Sequence, residues 1–106
     1  MDIITYVNNL DKQIREGNYS FGDRDRLAYA RAYMQGEEGL TKYRDRAIAR
    51  HISKTYNSDA QLAILFNEHR EPEEYAAYQV FRAQCKETVD AKMEALKTEL
   101  ENALNN

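Results

Sequence analysis

The chain has 106 residues, of which 42% are hydrophobic and 31% charged, with a formal net charge of −3; this balance suits one domain with a modest core and excludes wholesale disorder and a generally basic nucleic-acid binder. Trp is absent, Pro occurs once and Gly four times, a shortage of turn residues that argues against an all-β fold and for helices. The single cysteine, Cys85, excludes an intramolecular disulfide and a CxxC zinc or redox motif and fits a reducing compartment; with no basic or apolar signal region at Met1–Thr5 and no apolar run near the roughly 18 residues of a membrane span, the sequence points to a soluble, cytoplasmic protein with no membrane contact.

The first helix is expected from about Asp2 to Glu16, because Ile3, Val7, Leu10 and Ile14 recur at helical spacing and Gly17-Asn18 follows. Tyr19-Ser20-Phe21-Gly22 reads as a short loop whose aromatics are expected to fold back onto the core, the alternative being an exposed binding loop. Ser20 or Asp23 can cap a second helix carrying Leu27, Ala30 and Met34, closed by Gly36 and Gly39. A third helix is predicted from Thr41, with Tyr43, Ala47, Ile48 and Ile52 as its apolar arc and Tyr56-Asn57 as its end. Ser58-Asp59-Ala60-Gln61 has the form of a capping box, which starts a fourth helix running to about His69 and burying Leu62, Leu65 and Phe66. Pro72 suits the first turn of a fifth helix, and Glu73 and Glu74 place negative charge at its positive dipole end.

That fifth helix continues to Leu104, 33 residues or about 50 Å, far longer than the others. Its later apolar residues Val89, Met93, Leu96, Leu100 and Ala103 are spaced four, three, four and three, the alternation of a coiled-coil seam. Glu87, Lys92, Glu94, Lys97, Glu99 and Glu101 flank the seam and suit ion pairs across it. An isolated helix of this length is marginal in water, so the seam calls for a cover. The reading is a partner-facing surface, with a homodimer through this helix favoured over docking in a groove on another protein or on the chain's own bundle.

The chemistry-bearing residues are sparse. His51, His69 and Cys85 have no HExxH, CxxC or His-x-x-x-His spacing, so neither a nucleophile with its base nor a metal set is expected. Cys85 falls on the apolar face of the fifth helix, as a small hydrophobe. Glu68, Glu71, Glu73 and Glu74 crowd one junction without the pattern of a calcium loop. From Asp23 to Tyr56 there are eight Lys or Arg against five Asp or Glu. Lys42, Arg46, Arg50 and Lys54 recur every four residues with Tyr43 at the border, a stripe that suits either the wet face of an amphipathic helix or a phosphate backbone with a stacked base. A helix-turn-helix is disfavoured, because Ala60 to Phe66 is almost wholly apolar and offers little to read bases.

Eight tyrosines are present; Tyr75, Tyr78 and Phe81 share one face beside Arg82, placed to pack in a core or anchor an interface. In its Glu74-Tyr75-x-x-Tyr78-x-x-Phe81-Arg82 run the chain resembles small acidic helical proteins of phage and prophage accessory genes, a likeness that defines no family. The expectation is one all-α domain over 1–106, with a short-helix bundle over 1–70 and a long C-terminal helix over 71–106 extending as a coiled-coil-like segment. Its expected function is that of a small non-enzymatic interaction module without a cofactor or metal. The alternative is a nucleic-acid-associated regulator using the stripe on the third helix.

Overall fold

Local chemistry at Asp2 starts the first helix: its carboxylate accepts a 2.8 Å hydrogen bond from the Thr5 amide, satisfying one of the otherwise orphaned donors of the first turn. The computed structural model describes residues 1–105. They form five helices, α1 (Ile3–Arg15), α2 (Asp23–Met34), α3 (Gly36–Ser53), α4 (Ser58–Phe66) and α5 (Pro72–Leu104), with no strand among the described residues. The fold is all-α and ends in a long helix, as the composition and periodicity imply. At the end of α1, Gly17 turns left-handed at φ 77°. The Gly17 amide then donates to Ile14 O, and the Asn18 amide to Gln13 O at 2.9 Å, closing the helix as a Schellman motif.

The α2–α3 junction differs from the expected one. Gly36, at φ 74°, makes the whole turn, and α3 starts five residues before Thr41. Gly39 lies inside that helix because a side chain there would run into the Ala32 carbonyl and, at 2.6 Å, Gln35 Cβ. The glycine that reads as a helix stop is a site of close approach between two helices.

The chain divides into two compact units. The first comprises Met1–Arg44 and the chain from Lys92 onward. Its core is Val7 and Leu10 of α1, Leu27, Tyr29 and Ala30 of α2, and Leu96 and Leu100 of α5. Ile3, Tyr6, Ile14, Tyr33, Leu40, Tyr43, Met93 and Leu104 pack around them, half-buried. Tyr29 is the aromatic centre, with its ring edge-on to Tyr43 at 5.7 Å and tilted against Tyr33 at 6.4 Å. Burial pushes the pKa of the Tyr29 hydroxyl, and that of Tyr6, above the ordinary tyrosine value.

Charged groups bind the last part of α5 to α2 within this unit. Arg26 donates from Nε to Glu99 and from Nη1 to Asp23, each at 2.8 Å. The hydrogen bond to Glu99, with that to Asp23, strengthens the hold of Arg26 on its proton. Lys92 Nζ meets Asp25 at 2.7 Å. Two of the charges expected to pair across a dimer seam are therefore engaged inside the chain.

The second unit is Asp45–Ala91, holding the end of α3, all of α4 and the first part of α5. Ile48, Ile52, Ile64, Tyr78, Cys85 and Val89 are its buried residues. Tyr56, in the turn after α3, sets its ring edge-on to Tyr78 at 5.1 Å and Phe81 at 5.3 Å, and the Arg82 guanidinium lies 5.8 Å from the Tyr78 ring centre, an attractive cation–π arrangement. Core packing, the first of the two roles open to this aromatic run, is the one observed.

Candidate functional site

Helix α4 is fixed by two polar residues at its start. Asn57, rather than Ser58, is the cap: its side chain accepts a 2.8 Å hydrogen bond from the Ala60 amide. Gln61 does not reach back to complete a capping box. Its Nε2 donates to Tyr56 O at 2.9 Å and its Oε1 accepts from the Tyr78 hydroxyl at 2.8 Å. These bonds commit Gln61 to the inside, and Ile64, one turn on, is buried with it.

The period of 3.6 then decides the rest of the helix. With Gln61 and Ile64 turned inward, Leu62 and Phe66 must face outward and Leu65 must lie on the border. Leu62 is 52% exposed, Leu65 46% and Phe66 84%. The expected burial of these three residues is corrected: nine residues apolar on every side can present only one face to a core, and Gln61 selects which. The helix also ends at Phe66 instead of His69, because Arg70 and Glu71 both donate back to Asn67 O in a tight turn. The result is an outward apolar stripe at i, i+3 and i+4 spacing. Its chain neighbours are Asp59 at the start of α4 and Glu68, Glu71, Glu73 and Glu74 after it, all exposed and none in an ion pair among the described residues.

The expected partner seam occupies a different environment. Val89 is 2% exposed within the second unit, and in the first Leu100 is also 2% exposed, Leu96 is buried, and Met93 and Ala103 are half-buried. The expectation of a partner surface at Val89, Met93, Leu96, Leu100 and Ala103 is corrected to core within the chain's own two units, because Val7, Leu10, Leu27, Tyr29 and Ala30 already pack with Leu96 and Leu100. Of the covers that spacing leaves open, the chain's own helices are the one observed for Leu96 and Leu100.

The basic stripe on α3 is less uniform than its spacing. Lys42 pairs with Glu38 at 3.2 Å, Tyr43 lays its ring against Tyr29, and Lys54 lies past the last helical residue, Ser53. Arg46 and Arg50 are exposed on the helix, without an ion pair among the described residues. Cys85 is buried, His51 half-buried and His69 exposed in the turn after α4. Among the described residues no group of three or more His, Cys, Asp or Glu is placed to hold a metal, and no helix is long and apolar enough to cross a membrane.

The 19–22 loop also departs from expectation. Phe21 is fully exposed, and Tyr19 turns outward under Arg24, whose guanidinium sits 5.3 Å from the ring centre. Gly22, left-handed at φ 89°, and the Ser20 amide bonded to Asp23 at 2.8 Å hold the loop at the start of α2. No protein-family model matches the chain, and comparison with curated proteins and with solved structures found no match either.

Proposed function

We propose that this chain is a small non-enzymatic protein-interaction module and that it engages its partner through Leu62, Leu65 and Phe66 of α4. The supporting observation is the exposure of all three on one stripe of a helix whose other side is anchored by Gln61 and Ile64. Leaving large apolar side chains in water forgoes about 1.5–3 kcal/mol each when fully exposed, and contiguous exposed apolar groups on a small protein mark contact sites. A helix-in-groove or helix-on-helix contact reads such an i, i+3, i+4 set directly. The proposal involves no catalytic step, and Cys85, as a buried packing residue, has no role in it.

Site-directed photo-crosslinking tests the assignment. A benzophenone side chain at Phe66 is expected to capture a discrete protein that the same group at exposed Thr98 does not, with capture reduced by Leu62→Ser. Equal capture from the two positions, or none from Phe66, contradicts the assignment. A second reading rests on Arg46 and Arg50, which are exposed and unpaired on α3: a nucleic-acid contact through these two and Lys54, without base stacking on Tyr43, whose ring is occupied by Tyr29. Binding that falls steeply with salt and vanishes in the Arg46→Glu/Arg50→Glu chain identifies that reading.

A further inference from the structure

The α4 stripe is apolar, and the charge carried by its chain neighbours is predominantly acidic. Asp59 precedes Leu62 by three residues and Phe66 by seven, so it lies on the same face of the helix. The chain leaving Phe66 carries Glu68, Glu71, Glu73 and Glu74 before the second turn of α5 is complete. Across 58–74 these five carboxylates stand against one arginine, Arg70. No ion pair among the described residues neutralises any of them. Asp59, Glu73 and Glu74 each favour the helix start on which they sit, but that interaction leaves their field over the surface in place.

We infer that the occupant of the α4 stripe is a cationic amphipathic helix of another protein, with its apolar side on Leu62, Leu65 and Phe66 and its lysines or arginines toward Asp59 and the 68–74 carboxylates. The inference rests on the interaction reading above and adds the chemistry of the partner. Charge decides between the candidate occupants. A second copy placed stripe to stripe brings an identical acidic rim against this one, and like charges brought together at an interface are costly. A copy offering Arg46 and Arg50 instead brings no large exposed apolar side chain with them on α3, so it answers the carboxylates without covering the stripe. Anionic lipid and nucleic acid are repelled by the same carboxylates. Only a cationic partner satisfies both the apolar stripe and its rim.

Three labelled synthetic helices of about 18 residues, or five turns, share one Leu/Ala face and carry Lys and Arg, Gln, or Glu on the other. Each is titrated with the full chain by fluorescence anisotropy at low and high salt, alongside light scattering of the chain alone. The cationic helix is expected to bind at least roughly tenfold more tightly than the acidic one, to lose that margin as salt screens the rim, and to lose binding to the Leu62→Ser/Phe66→Ser chain. Phe66→Gln alone is titrated beside the double variant as the milder change and is expected to weaken the same binding.

Equal binding of the cationic and Gln-faced helices, abolished by the variant, leaves the docking surface standing and overturns the partner's chemistry. Cationic binding untouched by the variant shows charge attraction without the stripe and overturns the inference. Growth in mass with concentration that the variant abolishes makes the occupant a second copy, also against it. Failure of all three helices to bind a monomeric chain overturns the inference, whereas the reading on which it rests falls only if Phe66 also captures no protein.

Discussion

Gly39 shows how one residue can carry a packing requirement that its neighbours in sequence do not reveal. Alanine is the better helix former by about 1 kcal/mol, yet a Cβ at position 39 meets the Ala32 carbonyl and Gln35 Cβ, and overpacking of this kind costs about 1–3 kcal/mol. Gly39→Ala is therefore expected to lower the denaturant midpoint, and a variant more stable than the parent contradicts the close approach. Asp2 gives a pH signature. The hydrogen bond from the Thr5 amide holds its carboxyl below the ordinary value, so its contribution is complete above the unfolded value of about 3.9 and lost as pH falls through the lower folded one. Asp2→Asn keeps an acceptor without the charge, and melts compared at neutral pH and below about pH 4 should show a smaller acid-induced drop than the parent. Glycine and aspartate both read as punctuation in the sequence. Asp2 is punctuation in the structure, while Gly39 is spacing.

Of the elements, α1 and α5 were the most legible, because long apolar periodicity and a clear start or stop signal agree. The start of α3 was not, since a glycine that permits close packing looks the same in sequence as one that ends a helix. The outward face of α4 was also hidden: a run apolar at every position has no direction, and direction came from Gln61, whose partners Tyr56 O and the Tyr78 hydroxyl are brought to it by the fold. The cap assignment is testable on its own. Asn57→Ala should cost about 1 kcal/mol, whereas Ser58→Ala, which removes no cap bond seen in the structure, should fall within about 0.5 kcal/mol of the parent. The reverse ranking restores the capping box. On α5, Cys85→Ala should cost about 1–2 kcal/mol through lost packing without altering partner capture at position 66.

For the whole chain, the path leaves one compact unit after Arg44 and returns to it at Lys92, so residues far apart in sequence share one core. This is why spacing alone did not name the cover: Leu96 and Leu100 pack with Val7 and Leu10 of α1 and with Leu27, Tyr29 and Ala30 of α2, far earlier in the chain, which no local pattern reveals. Truncation after Lys86 should then remove Leu96 and Leu100 from the first unit and unfold it, instead of releasing a folded monomer from a dimer. The central claim is that α5 carries core and α4 carries the contact surface, and thermal melting of two double variants by circular dichroism tests it most directly. Leu62→Ser/Phe66→Ser is expected to melt like the parent, because exposed substitutions shift stability by only about 0.5 kcal/mol. Leu96→Ser/Leu100→Ser is expected to lose most of its helical signal at room temperature, since each buried leucine replaced by a small residue costs about 2–5 kcal/mol against a total of about 5–15. A parent-like melt for the α5 pair, or unfolding of the α4 pair, contradicts the account.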